Sequence, residues 1–193
     1  MSEAGAGAST PLPAVARVAL VTLRMLIGWH FLYEGYYKIV LPAWTSNGAP
    51  TGRWSAAGYL ANAAGPFADA FQTVGQSSIL PWIDMVVMVA LVLVGLSLLL
   101  GFLTQTGCLG AMLLLGTFYM ALIPLAGAPQ AGSEGTYLIV NKTLIELAAV
   151  WVLFLFRTGH IAGLDVLLHA RRGSGKKMPV ISSSFSAAAS PEQ

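Results

Sequence analysis

Between residues 18 and 156, long apolar runs alternate with short polar or Gly/Pro-rich stretches. Four runs, at 18–41, 82–102, 104–123 and 138–156, each hold roughly 19 to 24 residues, enough to cross about 30 Å of hydrocarbon as a helix. Runs two and three meet at Gly101-Phe102-Leu103-Thr104-Gln105-Thr106-Gly107, which predicts a tight, uncharged hairpin. The first two runs are separated by a long loop punctuated by Pro42, Pro50 and Pro81. Inside that loop, 55–71 carries Tyr59, Leu60, Phe67 and Phe71 and predicts a short amphipathic helix or two on the membrane surface, broken near Gly65-Pro66. The expected fold is all-α: an integral membrane four-helix bundle with a short amphipathic helix in its long outer loop.

Composition supports that reading. Of 193 residues, 56% are hydrophobic and 9% charged, against about 25% charged in soluble domains. Mean hydropathy is +0.72. A net charge of +2 leaves no electrostatic footprint for nucleic acid. One cysteine, Cys108, excludes an intramolecular disulfide and any multi-cysteine metal site. Residues 1–13 and 171–193 are small, polar or Gly/Ser/Ala-rich and read as disordered tails flanking one domain at 14–170.

Basic residues set the orientation. Arg17 precedes the first run, and Arg157, Arg171, Arg172, Lys176 and Lys177 follow the fourth. Only Arg53 lies in the long loop, and none lies in the loop before the fourth run. Both termini are therefore expected in the cytoplasm, in a bacterial-type inner membrane crossed several times. Trp44, Trp54 and Trp82 fall near the outer boundary, where amphipathic rings prefer to lie. Membrane lipids are expected partners, with anionic headgroups near the basic C-terminal tail.

The apolar runs contain charges that need a reason, because a charged group at the bilayer centre costs several kcal/mol. The first run carries Arg24, His30, Glu34 and Lys38; the fourth carries Asn141, Lys142 and Glu146; Asp84 begins the second. His30, Glu34 and Lys38 are four apart and share one helical stripe, as do Lys142 and Glu146. With the first helix running outward and the fourth returning, Glu34 and Glu146 fall about 10 and 12 Å below the outer surface, with Lys38 and Lys142 nearer to it. Neighbouring first and fourth helices would bring the two Glu–Lys pairs together, with Asp84 at the rim. Two readings stay open: a polar pocket that exchanges protons, with Glu34, Glu146 and His30 as its working groups, or an ion-pair network that fixes helix register. Arg24 has two options as well, a backbone carbonyl at a helix end or the cytoplasmic headgroups. Cys108 reads as a packed small residue.

These residues also carry a family pattern. Arg24-Met-Leu-Ile-Gly28-Trp-His-Phe-Leu-Tyr-Glu-Gly35-Tyr-Tyr-Lys38 resembles the first-helix signature of the DoxX/DoxD-like family of small four-helix membrane proteins. Thr158-Gly159-His160-Ile161-Ala162-Gly163-Leu164-Asp165 resembles the turn that closes those domains. Trp54-Ser55-Ala56-Ala57-Gly58-Tyr59-Leu60, Gly65-Pro66-Phe67 and Asn141-Lys142-Thr143-Leu144-Ile145-Glu146 resemble a DoxD-like subgroup. The resemblance covers roughly residues 15–170. It implies an inner-membrane protein, and in one branch the membrane subunit of thiosulfate:quinone oxidoreductase, in which thiosulfate is oxidised to tetrathionate and electrons pass to quinone. Many relatives have His where this chain has Glu34.

The expectation for function is thus a membrane subunit of a quinone-linked oxidoreductase, with Glu34, Glu146 and His30 handling protons and Lys38, Lys142, Asn141, Asp84 and Arg24 lining the quinone pocket. The alternative is a non-catalytic accessory subunit that stabilises a larger respiratory or photosynthetic membrane complex. Both expect other protein subunits as partners. Nothing in the sequence points to haem, a metal or a nucleotide: His30 is the only histidine within a run, and no P-loop or Rossmann glycine pattern occurs. A small-molecule carrier is disfavoured, since no inverted repeat or pair of broken helices is evident.

Overall fold

A computed structural model describes residues 12–40, 43–44, 50–52, 54–123 and 139–166. The expected tails, apart from residues 12 and 13, lie outside the described residues. So do the loop at 124–138, the end of the 14–170 domain beyond 166, and the side chain of Trp44.

Along the chain, α1 spans Ala14–Val40, about 40 Å at 1.5 Å per residue. An antiparallel ribbon follows, β1 (Ala43–Trp44) paired with β2 (Pro50–Gly52). This ribbon departs from the all-α expectation, at a place where Pro42 and Pro50 disfavour a helix. Next come α2 (Ala57–Ala61) and α3 (Ala68–Gly75). The break between them falls at Gly65, whose φ of +95° a side chain would strain. Then come α4 (Leu80–Leu100), with Pro81 in its first turn, and α5 (Thr104–Ala121). The chain continues with α6 (Lys142–Leu155) and a 3-10 turn at Thr158–His160.

The hairpin between α4 and α5 is as tight as the sequence suggests. Gly101 ends α4 in the left-handed region at φ +62°, and Leu103 starts α5 at φ +51°. A leucine there is strained, and it persists only if neighbours hold it. The Ser97 hydroxyl does so from one side, donating to Phe102 O at 2.7 Å and Leu103 O at 3.2 Å.

The start of α6 corrects the expected fourth segment. Asn141 is extended (φ −131°, ψ 174°), and its side-chain oxygen accepts from Leu144 N at 2.9 Å. That is an N-cap, which satisfies one of the free N–H groups of the first turn. The helix therefore begins at Lys142 rather than at 138. It has 14 residues, about 21 Å. Glu146 then lies about 6 Å along the axis from the helix start, closer than the 12 Å expected.

Packing runs α1 on α4, α4 on α5 and α5 on α6, and α6 reaches back to α1. The α1–α4 contact is the closest. A Cβ on Gly28 would come within 2.9 Å of Leu99 N, and one on Gly35 within 2.9 Å of Val92 N. Glycines seven apart on one stripe thus bring the two backbones together. Phe31, Leu98, Val150 and Leu153 fill the interior. The outside is apolar on every long helix, as at Val18, Leu26, Val86, Leu93, Leu113 and Ile145, which suits hydrocarbon as the surrounding solvent. Among the described residues, α1 and α4 are long and apolar enough to cross a membrane.

The surface helices are tied to this body by polar bonds. Asp84 on α4, 8% exposed, accepts from Ala56 N at 2.8 Å at the head of α2. Tyr59 donates to Phe118 O at 2.8 Å, and Ala64 N donates to Ala121 O at 2.9 Å.

Candidate functional site

The C-terminal half of α1 and the first turns of α6 bring the expected charges together, though in a different pairing. The periodicity of α1 places His30, Glu34 and Lys38 on one stripe, and the Asn141 cap sets the register that presents Glu146 to it. His30 Nε2 lies 3.7 Å from Glu146 Oε2. That is ion-pair distance, longer than a hydrogen bond. Glu34 pairs with Lys38 within α1 rather than across the interface. Lys38 also sits over the Trp54 ring, 5.3 Å from its centroid, a cation–π contact. Lys142 is exposed, but its charge acts on both Glu34 and Glu146, as does that of His30 when the imidazole is protonated. The five residues form one electrostatic unit: two carboxylates, two ammonium groups and an imidazole.

Exposure divides this unit. The side chain of Glu146 is 18% exposed and that of His30 48%. Glu34 is about as open as His30, while Lys38 is mostly covered. Trp29, Tyr33 and Tyr37 run beside the charged stripe, with successive ring centroids 6.4 Å apart.

The other expected residues are engaged elsewhere. Asp84 holds the head of α2, and Asn141 caps α6. Arg24 is ten residues before Glu34, about 15 Å along α1, and is 2% exposed. Its Nη1 donates to Thr158 O at 2.9 Å and to Ala162 O at 2.7 Å. Of the two options for Arg24, the structure takes backbone carbonyls, those of the turn that follows α6.

Those carbonyls belong to a knot at the end of the bundle that holds the α4–α5 hairpin. Gly101 and Gly163 approach so closely that a Cβ on Gly101 would fall 2.7 Å from Gly163 Cα. Asp165 N donates to Gly101 O at 2.8 Å. The Asp165 carboxylate accepts from Leu103 N at 2.8 Å and Thr104 N at 2.9 Å. It caps α5 and holds the strained Leu103 from the second side. Burial works to raise the Asp165 pKa, but the bonds from Thr104 and Leu103 and the charge of His160 outweigh it and hold the carboxyl below its usual range.

This knot joins the two signature stretches, Arg24 from the first and Thr158, Ala162, Gly163 and Asp165 from the second, through the α4–α5 hairpin. A family model described as "TQO small subunit DoxD" matches residues 19–186. The chain belongs to the DoxD family. No curated protein and no solved structure matches it. In this DoxD protein the signature therefore serves two ends: Arg24, Gly28 and Gly35 build the frame, while His30, Glu34 and Lys38, interleaved with the glycines, form the charge cluster.

Two features of the DoxD site escaped sequence reasoning. The link from Arg24 to Thr158 and Ala162 spans most of the chain, and a single sequence carries no signal for it. The aromatic stripe has a signal in the sequence, the spacing of Trp29, Tyr33 and Tyr37, each four apart. An open apolar groove of about 500 Å³ lies between α3 and α5, lined by Phe67, Phe71, Met112 and Thr117 among others, and none of the charged cluster lines it. Among the described residues, no group of three or more His, Cys, Asp and Glu could hold a metal ion.

Proposed function

We propose that this protein is the membrane subunit of a quinone-linked oxidoreductase of the thiosulfate:quinone type. It is a bundle of four membrane-spanning helices in a bacterial-type cytoplasmic membrane, with both termini cytoplasmic. The observation that carries the reading is the His30–Glu146 pair, half open at His30 and mostly covered at Glu146, on apolar helices. Charged groups at such depth are costly and usually line a functional path. The short α6 is accommodated by local thinning of the bilayer and by its polar first turn at the outer interface.

Joining two thiosulfates as tetrathionate releases two electrons, which a partner subunit passes on. A bound quinone supplies the acceptor for those two electrons together with two protons. The residues present fit such a ligand: His30 offers an N–H to a carbonyl oxygen, and Glu146 can hold a proton beside it. Lys38 balances the charge of Glu34, and Lys142 keeps the outer rim positive. Asp84, Asn141 and Arg24 hold the frame. The family description, a small subunit, supports a protein partner.

The test is purification of the tagged chain from its native membranes in mild detergent, with mass spectrometry of co-purifying proteins and lipids. Near-stoichiometric quinone and a partner subunit support the reading. A large complex with no quinone attributable to this chain favours a second reading, an accessory subunit that stabilises a larger respiratory or photosynthetic complex. The exposed apolar faces of α1 and α4 are the observation in favour of that alternative.

A further inference from the structure

The outer half of α1 presents an exposed face that hydrocarbon alone does not satisfy. Trp29 is 60% exposed and Tyr33 52%. In the topology proposed above, Trp29 lies about 16 Å from the outer end of α1 and Tyr33 about 10 Å. Tryptophan and tyrosine normally sit at the interfaces, where their polar atoms reach water. At these depths an unpaired N–H or O–H costs free energy. Neither Trp29 nor Tyr33 makes a side-chain hydrogen bond among the described residues. His30 lies next to Trp29, and Glu34 next to Tyr33, both half-exposed on the adjoining stripe. The patch is therefore flat, aromatic and rich in donors: an indole N–H, a phenol O–H and an imidazole N–H. Its nearest carboxylate, Glu34, is already taken by Lys38.

We infer that this face, Trp29–Tyr33 with His30 at its edge, is the docking site of the quinone ring, entered sideways from the bilayer. The inference rests on the quinone reading above and names its site. A quinone ring has a flat π-face and two carbonyl acceptors and brings no donor. It matches a donor-rich aromatic surface in both respects. Trp29 and Tyr33 are 29° from parallel with centroids 6.4 Å apart, so the ring lies along them as a third aromatic. One carbonyl then accepts from His30, whose Nε2 faces Glu146. A second copy of this chain is the poorer occupant, since it would bring donors to donors. The α3–α5 groove is apolar and offers a ring no comparable donor set.

The test uses the full chain in nanodiscs of quinone-free phosphatidylcholine and phosphatidylglycerol. Decyl-ubiquinone is titrated while tryptophan fluorescence is followed. The expected result is a saturable component of quenching that disappears in Trp29→Phe and survives in Trp82→Phe. Tyr33→Leu and His30→Leu weaken its apparent affinity about fivefold or more, as expected for a lost contact in an apolar setting. If saturable quenching persists unchanged in Trp29→Phe and Tyr33→Leu, the ring binds elsewhere; this inference falls and the quinone reading stands. If no variant and no wild-type sample binds quinone saturably, both fall. If Tyr33→Cys in a Cys108→Ser background cross-links between copies on oxidation, a second copy covers the face and the inference is overturned.

Discussion

Nε2 of His30 and Oε2 of Glu146 face each other at 3.7 Å across the junction of α1 and α6, near the two ends of the folded domain. The contact depends on two local decisions. Gly28 and Gly35 seat α1 deeply on α4, which fixes the rotation of the His30 stripe. Asn141 starts α6 at Lys142, which fixes the register of Glu146. At this separation the pair is looser than a hydrogen bond, so a proton or a ligand can tighten it.

The Arg24 knot is the frame on which that geometry depends. Arg24→Ala removes two charge-assisted bonds to Thr158 O and Ala162 O, each worth about 1.5–3 kcal/mol. The thermal midpoint of the detergent-solubilised protein, followed by circular dichroism, should fall clearly, with Arg24→Lys in between. A midpoint unchanged in Arg24→Ala would show that the hairpin end is held by other means.

Asp165 gives this frame a pH dependence. Its folded-state carboxyl is held below the usual aspartate value. Its contribution is therefore complete above about pH 4, the unfolded value, and is lost as pH falls through the depressed folded value. Wild-type midpoints measured from pH 7 down to pH 3 should hold and then decline. Asp165→Asn should start lower at pH 7 and lack that decline. Parallel curves for the two proteins would contradict the assignment.

Gly35→Val tests the close approach of α1 to α4. A Cβ there already meets Val92 N at 2.9 Å, so the helices must part. Overpacking of this kind costs about 1–3 kcal/mol. Reduced accumulation of the variant in membranes, beside normal levels of Gly58→Ala, where a Cβ meets nothing within 4 Å, is the expected pattern.

Tyr59 reports whether α2 and α3 are docked on the body of the protein. Burial pushes its phenol up to about 12, so it stays a donor to Phe118 O through ordinary alkaline conditions. In a spectrophotometric titration, the difference between wild type and Tyr59→Phe should show no tyrosinate appearing near pH 10. A step near pH 10 would mean that α2 leaves the body of the protein.

Much of this architecture is legible in the sequence, because apolar length and Gly/Pro punctuation are local signals. They place α1, α4 and α5 closely, and the Gly65 break between α2 and α3. The start of α6 is less legible, since residues 139–141 are apolar or polar without periodic contrast and only the Asn141 cap decides it. The charges are visible as types and spacings, and so is their gathering between the first and last helices. Their partners are not: nothing local says that Glu146 chooses His30 over Lys142, or that Arg24 turns to Thr158 and Ala162. Asp84 shows the opposite limit. An acid at the head of an apolar helix looks like a site residue, and its carboxylate is engaged by the Ala56 amide.

On the proposed function, His30 and Glu146 act as one proton-handling unit. The direct measurement is the rate of thiosulfate-dependent quinone reduction by the purified complex carrying His30→Gln, Glu146→Gln or both, with partner content checked for each. Loss of a positioned acid–base group costs about 10²-fold, and two members of one unit are not additive. Each single variant should fall by about that factor, and the double variant should fall little further. Wild-type rates in both single variants, in complexes that assemble normally, would contradict that role and leave the pair as a support of helix register.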